Sequence, residues 1–277
     1  MIDLHAHTTA SDGRSTPADL AARAAAAGVR VLAVSDHDTV GGYAEAARAC
    51  APLGIELVAG IEISSILQDE DVHVLGYFFD VHSPPLHAFL DAQRKQRVDR
   101  VRLIVERLTS LGMPLDAEAL VRPAVENPST SIGRPAVARA MVAARYVAST
   151  GLAFERWLSF GRPAYVPRLA VSPVDAFARI HESGGIASLA HPGLLKHDEW
   201  IPRFADAGLD AVEAYHSSHD GFDTARYLRF AEQLGLGVSG GSDYHADDSH
   251  GASGPGSISL PREHYDRLLE RRRLRFG

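Results

Sequence analysis

The chain holds one cysteine, Cys50, among its 277 residues, so no intramolecular disulfide can form and a reducing compartment is expected. Lysine is almost as scarce: only Lys95 and Lys196 occur, and nearly every cation is an arginine. No uninterrupted apolar run is long enough to span a bilayer, which excludes a membrane-spanning helix. No basic, apolar, small-residue leader opens the sequence, and the alanine-rich stretch 18–27 is broken by Asp19 and Arg23. A cytoplasmic protein without a membrane partner is the expectation. A basic surface is missing too. The net charge of −7 argues against coating long DNA but leaves room for a small anionic ligand held by local arginines. Internal repeats and low-complexity tracts are absent, and nothing suggests an obligate protein partner.

What the chain does have begins at its first residues. Ile2 and Leu4 alternate with Asp3 and His5, the period-two pattern of a short strand with one buried face. His5 and His7 then project to the same side of an extended segment. Asp12 follows after a polar turn that ends at Gly13. Two imidazoles with a carboxylate in loop reach are a competent start to a metal site.

Strands and helices alternate from there. Thr16-Pro17 starts a helix that stops near Gly28. Residues 29–34 form a strand ending in Ser35-Asp36-His37-Asp38, a helix covers 43–51, and strands at 55–63 and 71–79 carry Glu62 and His73. At Ser83 the pattern changes. Pro84-Pro85 introduces a long helix over 86–111, whose Arg94, Lys95, Arg97, Arg100, Arg102 and Arg107 read as a solvated face. Shorter helices are predicted near 116–121, 134–144 and 153–159. Alternation resumes with strands near 186–190, 209–215, 236–239 and 257–260. The division predicted is a barrel segment over 1–82, a helical insertion or cap over 83–168 and a second barrel segment over 169–277.

Repeated strand then helix implies an α/β protein with a parallel sheet. The polar residues favour a barrel over an open sheet. His5, His7, Asp36, His37, Glu62, His191, His216, Asp243 and His245 fall at or just past C-terminal strand ends, the rim where barrel enzymes build their sites. Adding Asp12 and His73 gives a candidate ligand set of His5, His7, Asp12, His37, Glu62, His73, His191, Asp243 and His245. Six imidazoles and three carboxylates exceed the four to six ligands of about one ion, so two or three divalent metals are implied. A carboxylate such as Glu62 can bridge two ions roughly 3.5–4 Å apart. His82, His87, His181, His250 and His264 read as ordinary surface or helix-capping residues.

These motifs carry a family resemblance. His5-x-His7 with Asp12, Ser35-Asp36-His37, Gly60-Ile-Glu62, His73-Val-Leu-Gly-Tyr77, Ala190-His191-Pro192 and Gly241-Ser-Asp243-x-His245 resemble the motif set of the PHP (polymerase and histidinol phosphatase) superfamily. The resemblance implies a distorted (β/α)7 barrel, a trinuclear site and phosphoesterase chemistry. It implies that His5, His7, Glu62 and Asp243 hold one metal, that Glu62, His73 and His191 hold a second, and that Asp12, His37 and His245 hold a third. Asp12, His37, Glu62, His191 and Asp243 are the catalytic residues on this reading. Mn2+ is the expected ion, with Fe2+, Zn2+ or Mg2+ as alternatives.

Ser131-Ile-Gly-Arg134-Pro and Phe160-Gly-Arg162-Pro-Ala-Tyr165-Val-Pro167 are similar to the TrpH-like branch, which includes 3′,5′-nucleoside bisphosphate phosphatases and the 5′→3′ ribonuclease AM. A guanidinium offers a planar donor fork suited to phosphate, so Arg134 and Arg162, with Ser131, are expected to bind a second phosphate. His216 and His219 are further candidates for substrate contact. A bridging hydroxide is then expected to attack the 3′-phosphorus in line with the departing ribose oxygen. Asp36 is expected behind the ligands, orienting an imidazole. The rival readings are an exoribonuclease on short 5′-phosphorylated RNA, a histidinol-phosphatase-like monoesterase, and a metal-bound structural or interaction domain without turnover.

Overall fold

The apolar runs Val31–Val34 and Ile186–Leu189 are buried along their whole length, as strands covered on both faces must be. In the computed structural model, which describes residues 1–169, 171–246 and 252–277, they belong to one sheet of seven strands. These are β1 (Ile2–Asp3), β2 (Val31–Val34), β3 (Glu56–Leu67), β4 (Glu70–Tyr77), β5 (Ile186–Leu189), β6 (Ala211–His216) and β7 (Gly237–Gly241), and each pairs with the next in chain order. The ends nearly close. Leu4 N–H donates to the Gly240 carbonyl at 3.2 Å, His7 N–H to Tyr244 at 2.9 Å and Asp243 N–H to His5 at 2.7 Å. The distorted α/β barrel of the sequence reading is what the chain forms.

One strand departs from that reading. Parallel pairing was expected throughout, but β4 runs antiparallel to both β3 and β5. Its connection to β3 is the two residues Gln68 and Asp69, with φ of 52° and 68°. Two successive positive φ angles make the tight hairpin turn that matches strand twist, and a two-residue link can only reverse the chain. His73 therefore reaches the rim from within a strand that runs opposite to its neighbours. Residues 257–260, read as a strand, form none among the described residues; Leu260 N–H makes a backbone bond to Ile2 at 2.9 Å.

The helices follow the expected order: α1 (Pro17–Ala26), α2 (Tyr43–Cys50), α3 (Pro84–Ser110), α4 (Ala117–Glu126), α5 (Arg134–Ala143), α6 (Thr150–Ala153), α7 (Pro173–Glu182), α8 (Pro192–Leu195), α9 (Ile201–Asp206), α10 (Gly221–Leu234) and α11 (Arg262–Phe276). A π-turn over Phe154–Leu158 extends α6. Capping explains several starts. Thr16 Oγ1 accepts from Asp19 N–H at 3.1 Å ahead of Pro17, and Ser172 and Asp175 form a reciprocal capping box at α7. None of these helices is long and apolar enough to cross a membrane.

Between β4 and β5 the described residues hold helices and no strand. That stretch has an apolar cluster of its own, with Ile104 and Leu108 of α3, Val121 of α4, Val137 and Met141 of α5, and Leu158. The barrel cluster, around Ile61, Ile63, Val74, Leu75, Leu189 and Val212, is separate. The helical stretch is tied back to the rim by polar contacts. Ser131 N–H donates to Ala10 at 2.7 Å, and Arg139 reaches the Asp12 carbonyl at 3.3 Å.

Candidate metal centre

The rim site is built around one carboxylate. Glu62 sits on β3 with its side chain buried, and five imidazoles approach it. Oε2 lies 3.3 Å from His5 Nε2, 3.1 Å from His7 Nε2 and 3.3 Å from His37 Nδ1. Oε1 lies 2.8 Å from His73 Nδ1 and 3.1 Å from His191 Nε2. The β3–β4 register explains His73: it pairs with Ser64, which places it diagonal to Glu62 on the same face of the sheet.

Barrel closure supplies the remaining members. Asp243, just past β7, brings Oδ1 to 3.2 Å from both His5 Nε2 and His7 Nε2. Asp12 lies 3.3 Å from His245 Nε2 and 3.6 Å from both His7 Nδ1 and His37 Nε2. All nine residues singled out in the sequence thus converge. Two of them, His191 and Asp243, are held at φ of 27° and 54°. Non-glycine residues adopt such angles where the surroundings enforce them, and these outliers cluster at functional sites.

The donor set fits metal ions. Donor atoms of His5, His7, Glu62 and Asp243 all lie within 4.8 Å of one another, as do those of His7, Asp12, His37 and His245, and those of His37, Glu62 and His73. Both ring nitrogens of His7, Nδ1 of His37 and Nδ1 of His73 are buried and make no hydrogen bond among the described residues. Carboxylate oxygens nonetheless stand within 2.8–3.6 Å of them. These nitrogens and oxygens thus crowd together without forming hydrogen bonds. Buried polar atoms left that way cost stability unless a cation lies among them.

The electrostatics agree. Burial opposes ionisation of Asp12, Glu62 and Asp243, but the surrounding imidazoles outweigh it and hold all three well below the usual carboxylate range. His7 is driven to about 10, because Asp243, Glu62 and Asp12 more than offset the depressing effect of burial. His37, with its ring centroid 4.8 Å from that of His7, is driven down to about 3 by burial first and by its cationic neighbours. Neighbouring imidazoles crowded this closely cannot all carry protons. Divalent cations would replace those protons with charge the carboxylates can balance.

The other candidates are placed unevenly. Arg134, at the start of α5, donates to Asp71 Oδ2 at 2.6 Å and lines a cavity of about 340 Å³ together with His73 and His191. Ser131 is buried, and its Oγ makes no hydrogen bond among the described residues. Arg162 is exposed on a turn and does not line that cavity. His216 belongs to the centre itself, with Nε2 3.3 Å from Asp243 Oδ2. His219 faces backbone: Nδ1 donates to the Ala214 carbonyl at 3.0 Å and Nε2 accepts from Gly193 N–H at 3.1 Å. Asp36 accepts from Thr8 N–H, Thr8 Oγ1 and Ser11 Oγ at 2.6–2.7 Å, so it anchors the loop leading to Asp12 and not an imidazole. His250 lies outside the described residues.

Several buried charged residues at the rim escaped the sequence reading. Arg97 and Arg100, taken for a solvated face, are each only 8% exposed. Arg97 Nε donates to Asp38 at 2.5 Å, and Arg100 Nε to the Val166 carbonyl at 2.9 Å. Arg168 joins them, 3.6 Å from Asp38 and 3.8 Å from Asp71. The signal was present in α3. Arg97 and Arg100 continue the three- and four-residue spacing of Gln93, Val101, Ile104 and Leu108, which is the buried face.

Glu213 on β6 was missed as well. It is fully buried, accepts from His191 N–H at 2.7 Å, and stands 2.9 Å from His5 Nδ1. A carboxylate on Nδ1 fixes the ring so that Nε2 faces the ligand cluster. Glu213→Gln keeps the shape and removes the charge, and outer partners of this kind are worth about ten- to a hundredfold in metal affinity. A titration of the metal-free protein with Mn2+ should show a loss of that size; an unchanged affinity would mean that His5 is oriented without Glu213.

Comparison with known proteins agrees with this geometry. Residues 3–130 match the family model described as the PHP domain. A 3′,5′-nucleoside bisphosphate phosphatase from Chromobacterium violaceum is 35% identical over 265 residues, covering 94% of this chain and 92% of that protein. A 5′-3′ exoribonuclease from Haemophilus influenzae is 35% identical over 253 residues, covering 88% and 89%. Among solved structures, an amidohydrolase from Chromobacterium violaceum with bound sulfate and no metal superposes with a TM-score of 0.86 at 33% identity, covering 98% of this chain and 96% of that one. With the fold, the imidazole–carboxylate rim and relatives named for phosphate-ester cleavage all in agreement, this chain belongs to the PHP domain family, as one of its phosphoesterases.

Proposed function

We propose that the chain releases the 3′-phosphate of nucleoside 3′,5′-bisphosphates, converting adenosine 3′,5′-bisphosphate and water to AMP and phosphate. One observation carries the reading: a single cavity of about 340 Å³ is lined by the ligand-type residues His73 and His191 and by the phosphate-type residue Arg134. A ribose with phosphates on both the 3′ and 5′ oxygens would use both walls. The Chromobacterium relative named for that activity supports the choice.

His5, His7, Glu62 and Asp243 would hold one ion, Glu62, His73 and His191 a second, and Asp12, His37 and His245 a third, with Mn2+ the first choice. Such ions, when bound, lower the pKa of water and neutralise charge on phosphoryl oxygens. Hydrolysis adds the water oxygen to the 3′-phosphorus, breaks the bond to the ribose oxygen and returns a proton to that oxygen. The chain's own contribution is to position the substrate. Asp71 holds the Arg134 fork at the cavity wall at 2.6 Å. Behind it, Arg97 pairs with Asp38, and Arg168 lies 3.6 Å from Asp38 and 3.8 Å from Asp71. Burial and the neighbouring Arg134 and Arg168 push Arg100 down to about 9, and burial and Arg97 push Arg168 down to about 10. Guanidiniums crowded to that degree favour arrival of an anion.

The test is phosphate release from adenosine 3′,5′-bisphosphate and from adenosine 3′-monophosphate, with Mn2+ supplied. Arg134→Ala removes charge-assisted hydrogen bonds, so kcat/KM on the bisphosphate should fall about ten- to a hundredfold with metal content unchanged. The monophosphate should be little affected. Equal losses on both would show that Arg134 does not read the 5′-phosphate.

A second reading is 5′→3′ exoribonuclease action on short 5′-phosphorylated RNA, favoured by the Haemophilus relative and by Arg134 on the cavity wall, which suits a 5′-phosphate end. Release of nucleoside 5′-monophosphates from a labelled oligoribonucleotide distinguishes the two. We also propose the division into barrel segments 1–82 and 169–277 around a cap over 83–168, supported by the separate apolar cluster of the helical stretch. A cytoplasmic location goes with the lone Cys50.

A further inference from the structure

We propose that Phe160 and Leu194 form a nucleobase subsite, on which the base of the bound nucleotide stacks while its phosphates engage the ligand cluster and Arg134. The inference rests on the nucleotide reading above and extends it to the part of the substrate that the metals and arginines leave uncovered.

Phe160 is 59% exposed and Leu194 is 56% exposed, yet both line the cavity that contains His73, His191 and Arg134. Single apolar side chains in water are ordinary. Two of them, from segments more than thirty residues apart in the chain, meet on one cavity whose other lining is mixed, with Asp69, Glu70, Asp71 and Arg134 beside Ala190 and Leu195. Leu194 sits on α8, directly after His191. Phe160 sits on a turn closed by Arg162 N–H to the Ser159 carbonyl at 3.0 Å, with Gly161 at φ 72°. A turn with a positive φ at its third residue holds the second residue out at the corner.

The ring is nonetheless fixed. Phe160 packs against Tyr165 with centroids 5.5 Å apart and planes at 77°. Tyr165 is pinned in turn: the Arg100 guanidinium lies 5.7 Å from its ring centroid, and its carbonyl accepts from Arg107. The contact with Tyr165 leaves most of the Phe160 ring in solvent. A rigid, uncovered aromatic surface beside a phosphate-binding wall is what base stacking requires, and stacking accepts any base because each has a π-face.

The test compares binding of adenosine 5′-monophosphate and ribose 5-phosphate by calorimetry. Removing an aromatic platform costs about five- to a hundredfold in affinity per base. Wild type should therefore bind the nucleotide at least about fivefold more tightly than ribose 5-phosphate. Phe160→Ala should bring the nucleotide down to the level of the sugar phosphate, with an unchanged melting temperature since the side chain is exposed. Phe160→Trp should keep the preference, and its fluorescence should be quenched by the nucleotide. Equal affinities in wild type, or a preference that survives Phe160→Ala, would overturn the subsite. Failure of the wild-type enzyme to release phosphate from adenosine 3′,5′-bisphosphate would overturn the bisphosphate reading instead. A base preference lost in Phe160→Ala would still support the platform in that case.

Discussion

Glu62→Ala should lose bound metal and turnover together, with activity down at least about a thousandfold, because the water-activating and charge-neutralising roles of the ions disappear with them. No other carboxylate has Glu62's position among the described residues. Its two oxygens face five imidazoles at 2.8–3.3 Å, so its removal affects two of the three ligand groups at once. Without the carboxylate, His5 and His7 keep Asp243, and His37 keeps Asp12, but His73 retains no carboxylate ion pair among the described residues. Elemental analysis and phosphate release should be measured on the same preparation. A variant that keeps two or more ions per chain and turns over normally would show that the ligand assignment is wrong. Glu62→Gln provides the finer comparison: it preserves shape, so loss of metal there isolates the role of charge.

Gly241→Ala should destabilise the fold by about 2–4 kcal/mol, at the upper end of overpacking costs. A Cβ at that position would stand 2.3 Å from the His5 nitrogen, 2.5 Å from His5 Cβ and 2.8 Å from Asp3 Oδ1. Neither side can move away easily. The Leu4-to-Gly240 and Asp243-to-His5 hydrogen bonds hold the two strand ends together at 3.2 and 2.7 Å. In a chain of this size the melting temperature should drop by roughly 5–15 °C. Metal affinity should fall too, because this seam carries His5 and His7 on one side and Asp243 and His245 on the other. Gly221→Ala is the control: a Cβ there meets nothing within 4 Å, and its stability should change little. If the two variants melt alike, the seam is not closely packed.

Part of the site was legible in the sequence because strand ends are local signals. An apolar run that stops at a His, Asp or Glu marks where a side chain leaves the core and meets the rim, and this identified seven of the nine converging residues without reference to any contact; Asp12 was found from the turn after His7. His73 was found by type and strand membership, but the direction of its strand was not. Its approach to Glu62 depends on the reversal at Gln68 and Asp69. That pair contains neither glycine nor asparagine, so nothing in its composition announces a hairpin turn.

The chemical character of this protein was set by its sequence alone: the ligand types, their order, and the alternation that makes a barrel. Tertiary structure alone decided what the buried charges pair with. Arg97 and Arg100 fall on the buried spacing of α3, but that spacing does not say what a buried cation pairs with; the packing of α3 places them beside Asp38 and the Val166 carbonyl. Glu213 looks like one more polar residue in an apolar strand until β6 brings it to His5, 208 positions away. Local pattern reports periodicity and capping, since these depend on neighbours a few residues apart. Whether a charge is solvated, paired or aimed at an ion depends on segments the chain brings together from a distance, and that is settled only when the barrel closes.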